Sequence, residues 1–142
     1  MKRFQWLWVL VGCGLVSITG CSLLKNARAS DPHASKSKAT IEGLVRDIAC
    51  PVQNLEATAN HFNMKCLQEC IRSGSPLVIL SKDGELYLPI SDKMPDTDQR
   101  QMLLPFAGKY VRASGTVFKR KGIHAIVITE IDEVKDVHLT IE

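Results

Sequence analysis

Aromatic residues make up only 6% of the 142-residue chain. Outside the N-terminal region, Tyr87, Tyr110 and Phe118 are the residues able to serve as stacking platforms, too few for a single-stranded nucleic-acid binder. Charge of one sign is also lacking. The formal charge of +3 includes Lys2 and Arg3, and the chain without its first twenty residues carries +1, which argues against a polyanionic partner. The sequence has no nucleophile elbow, no paired-carboxylate motif and no glycine loop of the kind that cradles phosphate, so it is read as a non-enzyme. Asp83 and Asp96 fall at a turn and at a helix start, where carboxylates have structural work. His33, His124 and His138 are read as exposed positions. No Cys-x2-Cys pair occurs, so neither the usual zinc-finger spacing nor a Cys-x-x-Cys-His haem attachment is present.

The N-terminus is the most informative segment. Lys2 and Arg3 precede an apolar run over residues 4–18, the charge-then-apolar order of a signal peptide. A membrane-spanning helix over residues 4–24 is the competing reading, since it would just cover a hydrocarbon core of roughly 30 Å. Ile18-Thr19-Gly20-Cys21 argues against it, because small residues before a cysteine at the end of such a run resemble the lipobox of bacterial lipoproteins. The resemblance implies cleavage before Cys21, loss of Cys13 with residues 1–20, and acylation of Cys21 by chains of the palmitate class. Several chains, each methylene contributing about 0.8 kcal/mol, give an effectively permanent anchor. Ser22 stands where an aspartate would signal inner-membrane retention, so the resemblance implies the outer membrane, facing the periplasm, in a two-membrane host.

Residues 21–38 are rich in Ser, Lys, Ala and Asn and show no apolar period, so they read as a lipidated tether reaching on the order of 25 Å. Residues 39–142 form one small domain. A first strand is expected over residues 40–48, containing Gly43. A helix follows over residues 64–73, between the cap Asn63 and the stop Gly74. Two apolar runs, residues 77–80 and 85–90, flank an Asp83-Gly84 hairpin signal. A second helix is expected over residues 96–106, tempered by Pro105. Residues 110–118 alternate cleanly, with Val111, Ala113, Gly115 and Val117 on one face, and turn through Lys119-Arg120-Lys121-Gly122 into residues 123–131. The basic triplet is read as a solvated hairpin tip. Val137, Leu139 and Ile141 alternate as well and are expected to add an edge strand.

This order predicts a mainly β fold with two short helices. It resembles the five-stranded Greek-key barrel of oligonucleotide/oligosaccharide-binding (OB) folds, with a cysteine-containing helical insertion after the first strand. Within the insertion, Cys66 and Cys70 stand four apart and share a helix face, with Cys50 at the end of the first strand and His61 before the helix. Cys50, His61, Cys66 and Cys70 make a Cys3His set, suited to tetrahedral zinc or to cuprous copper. A disulfide from Cys50 to Cys66 or Cys70 is the alternative, favoured by an oxidising envelope, and it leaves one thiol over. A redox-active or haem-related role is the third reading. Together with Gly-Ser-Pro-Leu-Val-Ile-Leu at residues 74–80 and Asp-Gly-Glu-Leu-Tyr at residues 83–87, the cysteine pattern resembles small uncharacterised bacterial exported proteins built on such a barrel. The resemblance implies a fold and no activity. Two functions therefore stand: metal binding at the four-residue set, or a disulfide-stapled module binding a peptide, a glycan or an envelope protein.

Overall fold

The computed structural model describes residues 33–54 and 56–142. The expected signal peptide, Cys21 and the expected tether up to residue 32 lie outside the described residues. The elements in chain order are β1 (Ser35–Asp47), α1 (Ala49–Gln53), β2 (His61–Phe62), α2 (Met64–Arg72), β3 (Leu77–Ser81), β4 (Leu86–Pro89), α3 (Arg100–Leu103), a 3₁₀ turn (Leu104–Phe106), β5 (Tyr110–Arg120), β6 (Ile123–Glu133) and β7 (Thr140–Ile141). Five strands close into a barrel in the order β1-β3-β4-β6-β5. All neighbours are antiparallel except β4 and β6, which run parallel with Tyr87 opposite His124. This is the mainly β, OB-like barrel that the sequence pattern predicts.

Alternation in the strands assigns side chains to two cores. Ile41 and Val45 of β1, Leu77 and Ile79 of β3, and Val111, Ala113 and Val117 of β5 fill the barrel interior with Leu103 and Ile126. The other face of the same strands is also covered. Leu44, Leu80 and Tyr110 pack outward against Ala59, Phe62 and Leu67 of the insertion, with Val134, Val137 and Leu139 of the C-terminal tail alongside. The insertion is thus a second layer over the barrel wall, and it explains why residues 43–47 of β1 are buried without alternation.

Two glycines permit close approach of strands within the barrel. A Cβ on Gly43 would lie 2.3 Å from the Leu80 carbonyl oxygen, and one on Gly115 would lie 2.0 Å from that of Val127, at the bulge where β5 and β6 shift register. The hairpin turns match their sequence signals. Gly84 takes φ +82°, and Lys121-Gly122 joins β5 to β6 with φ +47° and +83°.

Four elements differ from the sequence-based expectation. β1 starts at Ser35, so Ser35–Lys38, expected in the tether, pair with Lys119–Thr116 of β5. The helix expected over residues 96–106 is reduced to α3 and the 3₁₀ turn. Asp96 Oδ1 accepts the Ser91 N–H at 2.7 Å and Asp98 Oδ1 the Arg100 N–H at 2.8 Å, which commits residues 91–98 to side-chain-held loops, and Pro105 occupies the last turn. A further short helix, α1, follows β1. The tail strand β7 joins the insertion, not the barrel, by parallel pairing of His61 with Thr140 and Phe62 with Ile141.

Candidate metal centre

Each cysteine is set by a local structural cause. Asp47 closes β1, and its Oδ2 accepts the Cys50 N–H at 2.9 Å, turning the chain into α1 and fixing Cys50 in its first turn. Asn63 caps α2 as its sequence position predicts, with Oδ1 accepting the Cys66 N–H at 2.8 Å. Cys70 follows one turn later on the same face. The far end of α2 is held to α3 by the Arg100 guanidinium, which donates to the Ile71 carbonyl oxygen.

These causes bring the Sγ atoms of Cys50, Cys66 and Cys70 within 4.8 Å of one another, with all three residues half-buried. The closest pair, Cys50 and Cys66, is 3.2 Å apart. A tetrahedral centre with bonds of about 2.3 Å to sulfur sets its thiolates about 3.8 Å apart, so shifts of no more than about 1 Å would seat an ion. The donor set is soft and fits zinc or cuprous copper. His61 is not brought into this group. Its Nε2 is engaged 2.8 Å from the Glu142 carboxylate, and it shares only a cavity wall with Cys50 and Cys66. The pull comes from β7, which places Glu142 beside β2.

Asp47 is the residue that sequence reasoning passed over. It has no solvent exposure, and its Oδ1 has no hydrogen-bond partner among the described residues. It continues the register of Val45 in β1, and its carboxylate lies against Cys50, whose N–H it accepts, close enough to act on Cys70 as well. Burial, then the Cys66 thiol and the Asp47 carboxylate, push the Cys50 thiol from 9.0 up to about 12. Burial, with Asp47 and Cys66 again contributing, raises Cys70 as well. A buried carboxylate among thiols that must ionise to act is an electrostatic arrangement that a bound cation would relieve. Its one sequence signal is an acidic residue at a strand end three positions before a cysteine.

On the outer side of the same thiols lies a cavity of about 410 Å³, lined among others by Arg46, Cys50, His61, Asn63, Cys66 and Glu142. Arg46 is 5% exposed, and its Nε is buried without a partner among the described residues. No family model matches this chain, and comparison with curated proteins and with solved structures gave no match.

Proposed function

We propose that this chain is a lipid-anchored protein of the bacterial envelope that binds a thiophilic metal ion, zinc or cuprous copper, through Cys50, Cys66 and Cys70, and that it is not an enzyme. The carrying observation is the convergence of three sulfurs within 4.8 Å from two different elements, α1 and α2. Asp47 supports it as a buried counter-charge lying next to the thiols. The anchor rests on Ile18-Thr19-Gly20-Cys21 at the end of the apolar run. Three protein ligands leave a coordination position for a group from solvent or for His61 after rotation away from Glu142. Because the ligands come from elements whose mutual placement defines the insertion, metal binding is coupled to its stability.

The test is elemental analysis of the mature protein, extracted from membranes in detergent without chelator. One equivalent of zinc or copper is expected, and Cys66→Ser should abolish it. Unchanged stoichiometry in that variant would rule the site out. Incorporation of labelled palmitate, lost in Cys21→Ser, tests the anchor separately.

The 3.2 Å separation of the Cys50 and Cys66 sulfurs favours a second reading, a disulfide that staples the insertion of an envelope module for a peptide, glycan or protein partner. Under that reading the same preparation contains one disulfide, one free thiol at Cys70 and no metal.

A further inference from the structure

Arg46 is a buried cation with no anion beside it among the described residues. It faces outward from β1, with Val78 opposite it, while Asp47 next to it in the chain points the other way. Neither a hydrogen bond nor an ion pair ties its guanidinium to any described residue, although the residue is 5% exposed and its Nε is sealed from solvent. A guanidinium presents five donors in a planar fork, and sealing the Arg46 Nε–H away without an acceptor forfeits hydration that nothing replaces. An arrangement of this kind in a cavity wall is complementary to a ligand carrying a carboxylate, which the fork takes in bidentate fashion.

The opposite chemistry on the same wall narrows the ligand. Cys50 and Cys66 line this cavity, and so do Glu56 and Glu142. Glutamates disfavour a multiply charged phosphate but leave room for one carboxylate at Arg46. A cavity of about 410 Å³ takes a molecule from amino-acid to small-peptide size. We infer that the cavity is a binding site for carboxylate-bearing low-molecular-weight thiols and their disulfides, with Arg46 holding the carboxylate and Cys50 and Cys66 meeting the sulfur. The inference goes beyond metal binding and does not depend on it.

The chemistry is thiol–disulfide exchange. One of the two thiols gives up its proton and attacks a sulfur of the bound disulfide. The ligand's S–S bond breaks, a mixed disulfide forms, and half of the ligand leaves as a thiolate that takes up a proton. The neighbouring protein sulfur, 3.2 Å away, then attacks the mixed disulfide, forming the Cys50–Cys66 bond and expelling the second half. The ligand disulfide is reduced to two thiols, and the protein dithiol is oxidised.

The experiment uses reduced, metal-free mature protein in detergent. It is mixed with disulfides of similar size that differ in charge: the mixed disulfide of 3-mercaptopropionate and 2-mercaptoethanol (anionic, one carboxylate), bis(2-hydroxyethyl) disulfide (neutral) and cystamine (cationic), with bridge formation followed by mass spectrometry. The anionic disulfide should oxidise the pair at least about tenfold faster than the other two, the size of one charge-assisted contact. Arg46→Gln should erase that preference while leaving the rate with the neutral reagent in place. Equal rates for the three reagents in the unaltered protein, or an intact preference in Arg46→Gln, would overturn the inference. Should Arg46→Gln not fold, propionate decides on the unaltered protein. It should slow the anionic reagent and spare the neutral one, and no such selectivity overturns the proposal. Loss of metal binding in Cys66→Ser reads the proposed metal site independently of all these rates.

Discussion

Replacing Cys70 by serine separates the two chemistries open to the thiol cluster. The substitution is nearly isosteric at a half-buried helix position and leaves the Cys50–Cys66 pair, 3.2 Å apart, intact. A bridge between those two closes a loop of 16 residues, which on chain-entropy grounds stabilises the fold by about 3 kcal/mol. Cys70→Ser should keep that contribution, so that adding reductant to the oxidised protein costs both forms the same about 3 kcal/mol. Metal behaves differently. At free metal a thousandfold above its dissociation constant the folded state gains about 4 kcal/mol, a rise in Tm of roughly 15–30 °C for a domain of this size. With one of three sulfur ligands gone, Cys70→Ser should show only a small part of that rise under reducing conditions. The assay is a set of urea titrations on the unaltered and the substituted protein, each oxidised, reduced, and reduced with zinc. A full zinc-dependent gain in Cys70→Ser would refute the three-cysteine centre, and a reductant effect that vanishes in Cys70→Ser would refute Cys50–Cys66 as the bridging pair.

Three further outcomes are expected. Phe62→Ala removes the largest side chain that the insertion places in the outer core, where Phe62 is 3% exposed, and should cost about 3–5 kcal/mol by urea denaturation. Gly43→Ala drives a methyl to within 2.3 Å of the Leu80 carbonyl oxygen and should cost about 1–3 kcal/mol in the same assay, by forcing β1 away from β3. In reduced, metal-free protein the folded state holds Cys50 in its neutral form, with its thiol raised from 9.0 to about 12, chiefly by burial. The sign follows from linkage: the contribution is complete below about pH 9 and is lost as pH climbs toward about 12, so stability should decline over that window, and less steeply in Cys50→Ala.

Much of the scaffold is legible in the chain itself. Alternation in residues 110–118, the Asp83-Gly84 and Lys121-Gly122 turns, and Asn63 and Gly74 bracketing α2 are local signals with local causes, and the structure places a strand, two turns and a helix there. The i, i+4 spacing of Cys66 and Cys70 also belongs to this class. The expected helix over residues 96–106 went wrong for a local reason of its own, since Asp96 and Asp98 bind nearby N–H groups and hold the chain out of helical geometry.

The sequence by itself therefore determined the barrel's strands and turns, the position of α2 and the residue types available for metal or disulfide chemistry, because helix caps, tight turns and period-two burial act over a few residues. Only the tertiary structure decided which groups meet. Cys50 reaches Cys66 across 16 residues because the insertion folds back over the outer face of β1. His61 is drawn to Glu142 by the parallel pairing of β2 with a tail strand some eighty residues away. Arg46 and Asp47, adjacent in the chain, point to opposite faces of β1 as successive strand residues do, Arg46 into the wall of the cavity and Asp47 against the Cys50 N–H. That wall is covered on both sides, so two charged residues become buried, and their burial depends on segments distant in the chain.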